Sequence, residues 1–234
     1  MVIAFSKFDA KARPALVLRN LDGTAIQTLG YAFGASGKFN YNETSTLTFS
    51  YPAHVDGHRV PGYEKIVGMR IVDAVGSGQF ILVNPSIKED AAKEIKTVEA
   101  YSLEYEFTFK KLSLENSTYN FWNPSSPEDT ILGIILERMP DWSVGSVDEG
   151  LIGKYRTYEI ANENLYNFMK GTLQDAYSCI FDFDTYERKI NVRDVSATAA
   201  VRPVYISLDN LAKEISIEED TENIFTCLDV NGAE

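Results

Sequence analysis

The sequence predicts a β-rich α+β protein. Three observations carry the prediction. Aromatic residues make up 12% of the chain, with 13 Tyr and 13 Phe beside many Val, Ile and Thr, and such side chains fit a pleated, half-buried surface. Between Pro14 and about Lys110, short apolar stretches recur between turn signals, the pattern of a small antiparallel barrel or sandwich. Helical spacing enters only in the middle of the chain.

Asp22-Gly23 separates Ala15–Leu21 from Thr24–Tyr31, and Asp-Gly supplies the positive φ angles of a tight hairpin. Lys38–Tyr41 and Thr46–Tyr51 are further strand candidates, the second stopped by Pro52, which has no N–H for a ladder. Met69–Val75 and Gln79–Val83 flank Gly76-Ser77-Gly78 as a second hairpin. Lys96–Tyr101 reads as another strand, whereas Ser102–Lys111 fits either a strand or a short helix. A polar stretch with two prolines, Asn116–Pro127, suits a domain boundary.

Helices are expected next. Ser126-Pro127-Glu128-Asp129 offers a capping hydroxyl, a proline at the first helical position and two acids near the positive helix end. Ile131, Leu132, Ile135 and Leu136 form one apolar stripe that ends before Pro140. A second helix should start after Asn162, with Leu165, Phe168, Met169, Thr172, Leu173 and Ala176 facing a core and Gly171 weakening it by about 1 kcal/mol. Cys179–Asp184 and Lys189–Arg193 then read as a strand pair, and Val204–Leu208, Glu214–Ile217 and Phe225–Val230 as later strands.

Charge and composition exclude several functions. The 34 acidic residues exceed the 22 basic ones, giving a net charge of -12, so phosphate neutralisation of a nucleic acid is not expected. Cys179 and Cys227 lack metal or disulfide spacing and read as reduced core residues. Met1–Lys11 carries no secretory signal pattern. Ile131–Leu136, the most apolar stretch, is far shorter than the roughly 20 residues that span a bilayer, so no membrane insertion is expected. Asn42-Glu43-Thr44, without an export signal, is only a loop sequence.

Chemistry-bearing motifs are sparse. His54 and His58, the only histidines, lie in a Pro- and Gly-containing stretch where two residues four apart do not share a helix face; they read as a solvated loop. Asp182 and Asp184 could in principle bind a cation through oxygen, but their alternation with Phe181 and Phe183 is that of a half-buried strand. Gly76-x-Gly78 precedes a strand and lacks a third glycine, so it fails as a dinucleotide fingerprint. The acids Glu218, Glu219, Asp220 and Glu222 read as a solvated turn. No catalytic, cofactor-binding or metal-ligating residue is therefore assigned, and no cofactor is expected.

Several ordered pieces resemble a known family. They are Tyr31-Ala32-Phe33-Gly34, Gly78-Gln79-Phe80-Ile81-Leu82-Val83, Glu99-Ala100-Tyr101-Ser102-Leu103-Glu104-Tyr105, Pro140-Asp141-Trp142-Ser143-Val144-Gly145, Phe181-Asp182-Phe183-Asp184, Lys189-Ile190-Asn191-Val192, Leu208-Asp209-Asn210-Leu211 and Thr226-Cys227-Leu228-Asp229-Val230-Asn231-Gly232. In order and spacing they resemble the N-terminal region of siphophage tail-tip hub proteins, variously called minor structural protein, tail-associated lysin or prophage endopeptidase tail. These are similar in turn to the baseplate hub of contractile phages. The resemblance implies a homotrimer that extends the tail tube, met by a distal tail protein ring and a tape measure protein, with DNA passing the lumen unbound. It implies hub-type small β-barrels with an inserted α+β domain: a first tube-wall barrel over residues 1–112, the α+β domain over 113–200, and strands beginning a second barrel over 201–234. Family members continue into further hub strands and lysin or receptor-binding parts, so any catalytic domain is expected beyond Glu234 and this segment is expected not to be an enzyme. The expected location is the virion, after synthesis in the bacterial cytoplasm. Two alternatives remain: a cell-wall peptidase or glycosidase, and a glycan-binding module drawing on aromatics such as Trp122 and Trp142.

Overall fold

The computed structural model describes residues 15–83, 85–90 and 93–195. The expected strands beyond Arg202-Pro203, the acids at 218–222 and Cys227 lie outside them, and the described residues fall in one compact unit, 1–199.

The first hairpin forms across Asp22-Gly23: β1 (Leu16–Arg19) pairs antiparallel with β2 (Ala25–Thr28), and Gly23 adopts φ 84°. A third strand, β3, occupies Phe33–Lys38 rather than the expected Lys38–Tyr41. It pairs with β4 (Thr46–Pro52), with Lys38 opposite Thr46, so the residues from Phe39 to Ser45 are needed for the turn between them. The two-residue strands β5 (His54–Val55) and β6 (His58–Arg59) make a small hairpin. The glycine-flanked hairpin follows as β7 (Ile71–Ala74) and β8 (Gly78–Leu82). The next two strands, β9 (Ser86–Asp90) and β10 (Lys93–Ser102), pair with each other. These strands, without β5 and β6, form one sheet in the order β2-β1-β7-β8-β10-β4-β3, with β9 on β10.

This sheet is not a closed barrel, because no ladder joins β2 to β3 among the described residues. Register shifts at Leu18/Arg19 and at Phe33/Ser36 bend the two end pairs. Yet only Leu29–Ala32 separate β2 from β3, and the Ala32 amide turns back to the Leu29 carbonyl. At roughly 3.6 Å per residue the free edges stand at most about 18 Å apart there. The sheet therefore curves over its core, its two end strands coming near each other at that turn without pairing. Leu16, Leu18, Leu47, Phe49, Tyr51, Val72, Phe80, Leu82 and Val98 fill the inside.

Central strands are covered on both faces. Val72 and Phe80 point inward, whereas Ile71 and Ile81 join a second core on the outside, as a side-chain period of two requires. The ambiguous stretch after β10 is a 3-10 helix, Leu103–Phe109, and its Leu103 and Phe107 enter that second core. There follow β11 (Lys111–Asn120), a 3-10 turn over Pro127–Asp129, α1 (Ile131–Arg138), β12 (Ser143–Val147) and β13 (Tyr155–Asn164). The polar stretch read as a boundary is thus partly strand, since β11 pairs with β13. The second expected helix is α-helical over Leu165–Asn167, π-helical over Phe168–Leu173 and α-helical again over Gln174–Tyr177. Last come β14 (Cys179–Asp184) and β15 (Lys189–Asp194), in a small sheet ordered β12-β15-β14. Trp142, Phe107 and Phe183 form a packed aromatic group in the second core.

The cap of α1 differs from expectation. Thr130, not Ser126, is the N-cap: its Oγ1 accepts from the Gly133 amide at 3.1 Å and donates to the Pro127 carbonyl at 2.6 Å. Pro127 opens the 3-10 turn before it.

Candidate functional site

Two features of the surface are candidates: a cleft between the layers, and the free edge of the large sheet.

The cleft has a volume of about 340 Å³ and is lined by Phe39, Asn42, Glu104, Lys170, Asp182 and Thr185, among others. Lys170 reaches it from the π turn. Its Nζ donates to Asn42 Oδ1 at 3.0 Å and to the Phe181 carbonyl at 3.2 Å, and lies 5.3 Å from the centre of the Phe183 ring. Burial pulls the amine down to about 8, against the attraction of Glu104 and Asp182. Glu104 is only 6% exposed and accepts from the Ser102 hydroxyl at 2.5 Å. Burial raises its carboxyl above the ordinary carboxylate range.

The sequence motifs resolve as follows. Asp182 and Asp184 both line the cleft, but Asp182 is paired with Arg193 at 2.6 Å. Asp184 Oδ1 accepts the amides of Tyr186 and Glu187 at 2.9 and 3.0 Å, which fixes the β14–β15 turn. Among the described residues no three His, Cys, Asp or Glu side chains gather as a metal site. His54 and His58 are exposed on their hairpin and sit opposite Arg59 and Val55. Cys179 is buried, and desolvation pushes its thiol up to about 12, the opposite of an activated nucleophile. Trp142 is buried, its Nε1 donating to Glu106 at 3.0 Å.

Polar staples that sequence reasoning missed tie neighbouring strands, and the large sheet to the elements after it, together. Asp73, buried on the outer face of β7, accepts from Arg19 Nε and Nη2 at 3.0 and 2.8 Å. Tyr186 Oη lies 3.2 Å from Asp73 Oδ1 and accepts the Gly76 amide at 3.1 Å. Thr185 Oγ1 accepts the Gln79 amide, Tyr166 Oη accepts from Thr44, and Arg188 donates to the Leu21 carbonyl. Each partner lies more than 50 residues away in sequence, and only the isolated acid within an apolar strand, Asp73, could have flagged one of them.

At the free edge, every residue of β3 is exposed. Tyr31, Phe33, Phe39 and Tyr41 leave between 43% and 77% of their surface open. Among the described residues no helix is long and apolar enough to cross a membrane.

The fold of the described residues is shared with solved prophage tail proteins. Over 82% of its length the chain superposes on the prophage tail protein gp18 from Listeria monocytogenes EGD-e with a TM-score of 0.60 at 15% identity, covering 54% of gp18. The 43 kDa tail protein of prophage MuSo2 from Shewanella oneidensis matches 76% of the chain with a TM-score of 0.51 at 10% identity, over 53% of its own length. The chain thus spans about half of each. No family model matches the sequence, and no curated protein matches it. The tail-protein resemblance carried by the sequence pieces is met at the level of the fold.

Proposed function

We propose that this chain is a structural subunit of a bacteriophage or prophage tail tip, acting as a baseplate hub rather than as an enzyme. The carrying observation is the shared fold with two prophage tail proteins over three-quarters or more of the chain. The chemistry of the cleft agrees: Asp182 is committed to Arg193, Asp184 to turn amides and Glu104 to the Ser102 hydroxyl, and the neighbouring thiol is buried.

In this reading three copies extend the tail tube and anchor lysin or receptor-binding parts. Closure of the curved sheet into a tube-wall barrel belongs to that assembled state. The division into residues 1–112, 113–200 and 201–234 is part of the same proposal, as are contacts with a distal tail ring and a tape measure protein. The excess of 12 negative charges would in part face the channel, since a wall of like charge denies DNA phosphates a binding site. A trimer with a basic channel would overturn that assignment. Gold-labelled antibody against the chain should mark the distal end of virion tails in electron micrographs. Labelling confined to heads would reject the reading, and release of soluble fragments from purified peptidoglycan by the chain would favour an enzyme instead.

A further inference from the structure

We infer that the stretch Tyr31–Tyr41, edge strand β3 with its flanking aromatics, is the surface through which copies of this chain meet. The inference rests on the hub reading and names its contact. It starts from pairing: β3 is bonded only to β4, and β2, across the Leu29–Ala32 turn, only to β1. Two adjacent edges of one sheet therefore lie open among the described residues. An open edge invites another chain, and proteins commonly guard it with charge. Here the guard is nearly absent. The fourteen consecutive residues from Thr24 to Gly37 contain no Asp, Glu, Lys or Arg, although 24% of the chain is charged.

That gap in charge selects the partner. Two copies, each at -12, repel over most of their surfaces, so they meet most readily where no acid stands. A basic partner would be drawn to the acids instead, and a nucleic acid would be repelled. The exposed Tyr31, Phe33, Phe39 and Tyr41 are of the types enriched in interface cores. Because the β3 register slips between Phe33 and Ser36, with Gly34 at φ 61°, side chains rather than an unbroken backbone ladder carry the contact. Lys38, the lone charge between residues 24 and 42, is left to face an acid of the neighbour.

Light scattering on the full 234-residue chain tests this. Wild type should form an oligomer, and Phe33→Glu combined with Ala35→Glu should weaken assembly at least tenfold while leaving the far-ultraviolet dichroism unchanged. Tyr41→Glu, in the loop after β3, is the second variant should the first fail to fold, and should weaken assembly in the same direction. Ile87→Glu and Ile152→Glu, at exposed apolar positions elsewhere, should leave the mass unaltered. Folded edge variants that keep the wild-type mass would overturn the inference and leave the hub reading intact. A wild-type chain that stays monomeric at every concentration would overturn the self-assembly reading itself.

Discussion

Buried charge is what the individual residues of this protein must accommodate, by a partner far along the chain for Asp73 and by a hydroxyl two residues away for Glu104. Asp73 keeps 5% of its side-chain surface and Arg19 keeps 27%. Removing the acid strands the guanidinium in a half-wet site, so Asp73→Ala should destabilise by about 2 kcal/mol, below the roughly 3–5 kcal/mol of a fully buried pair. Tyr186→Phe removes the hydroxyl's bonds to Asp73 and the Gly76 amide in a partly exposed site and leaves no charge unpaired, about 1 kcal/mol. Urea titrations of both variants check the order, and a larger loss for Tyr186→Phe would contradict it. Glu104 makes a pH-dependent case. Burial raises its carboxyl in the fold, so folding favours the protonated form. The associated stability is fully present below the ordinary carboxylate value and is lost as pH rises through the folded value. Glu104→Gln mimics the protonated acid and keeps an acceptor for Ser102. It should melt above wild type at pH 7, and the gap should close as pH falls through the carboxylate range. A gap that stays constant from pH 7 to pH 4 would show that burial leaves this carboxyl unperturbed.

Whole elements show what could be read in the sequence and what could not. Hairpins with a glycine in the turn were legible, because Gly23, Gly76 and Gly78 adopt the positive φ that their turns need. So were α1 and the β14–β15 pair, whose apolar spacing matches the buried face. Strand β3 was misplaced because its sequence, Phe-Gly-Ala-Ser-Gly-Lys, has neither a buried residue nor a β-branched one; only pairing with β4 makes it a strand. The 3-10 helix at 103–109 was ambiguous because the Leu103 and Phe107 that it buries are spaced four apart, which suits a helix and a strand face equally. Of the cleft only Asp182 and Asp184 stood out in the sequence, as a motif set aside, since Asn42, Glu104, Lys170 and Asp182 come together only through tertiary packing. The cap of α1 gives a test at this scale. Thr130→Ala should cost about 1 kcal/mol by freeing the Gly133 amide, while Ser126→Ala, whose hydroxyl makes no cap bond, should change stability by less than about 0.5 kcal/mol. Thermal melts of the two variants decide, and equal losses would return the cap to Ser126.

Over the described molecule, two apolar cores share one sheet. Val72, Phe80 and Leu82 face the inner core, and their neighbours Ile71 and Ile81 face the outer one. Neither core can lose its wall without exposing the other, and Asp73, Thr185 and Arg188 add polar ties across the same boundary. The physical consequence is cooperative unfolding of residues whose side chains never touch. Trp122 and Trp142 both pack with the outer core, so their fluorescence reports on that core, while Leu18 is fully buried in the inner one. Leu18→Ala should cost about 2–5 kcal/mol through the cavity it leaves, and a unit of this size shifts by roughly 2–4 °C per kcal/mol. If the sheet couples the cores, the tryptophan transition should move down by the same amount as the far-ultraviolet dichroism transition, with both curves still superimposable. Were the tryptophan transition to stay at the wild-type temperature while the dichroism splits into two steps, the layers would be separate folding units, and the shared wall would be a docking surface rather than a common core.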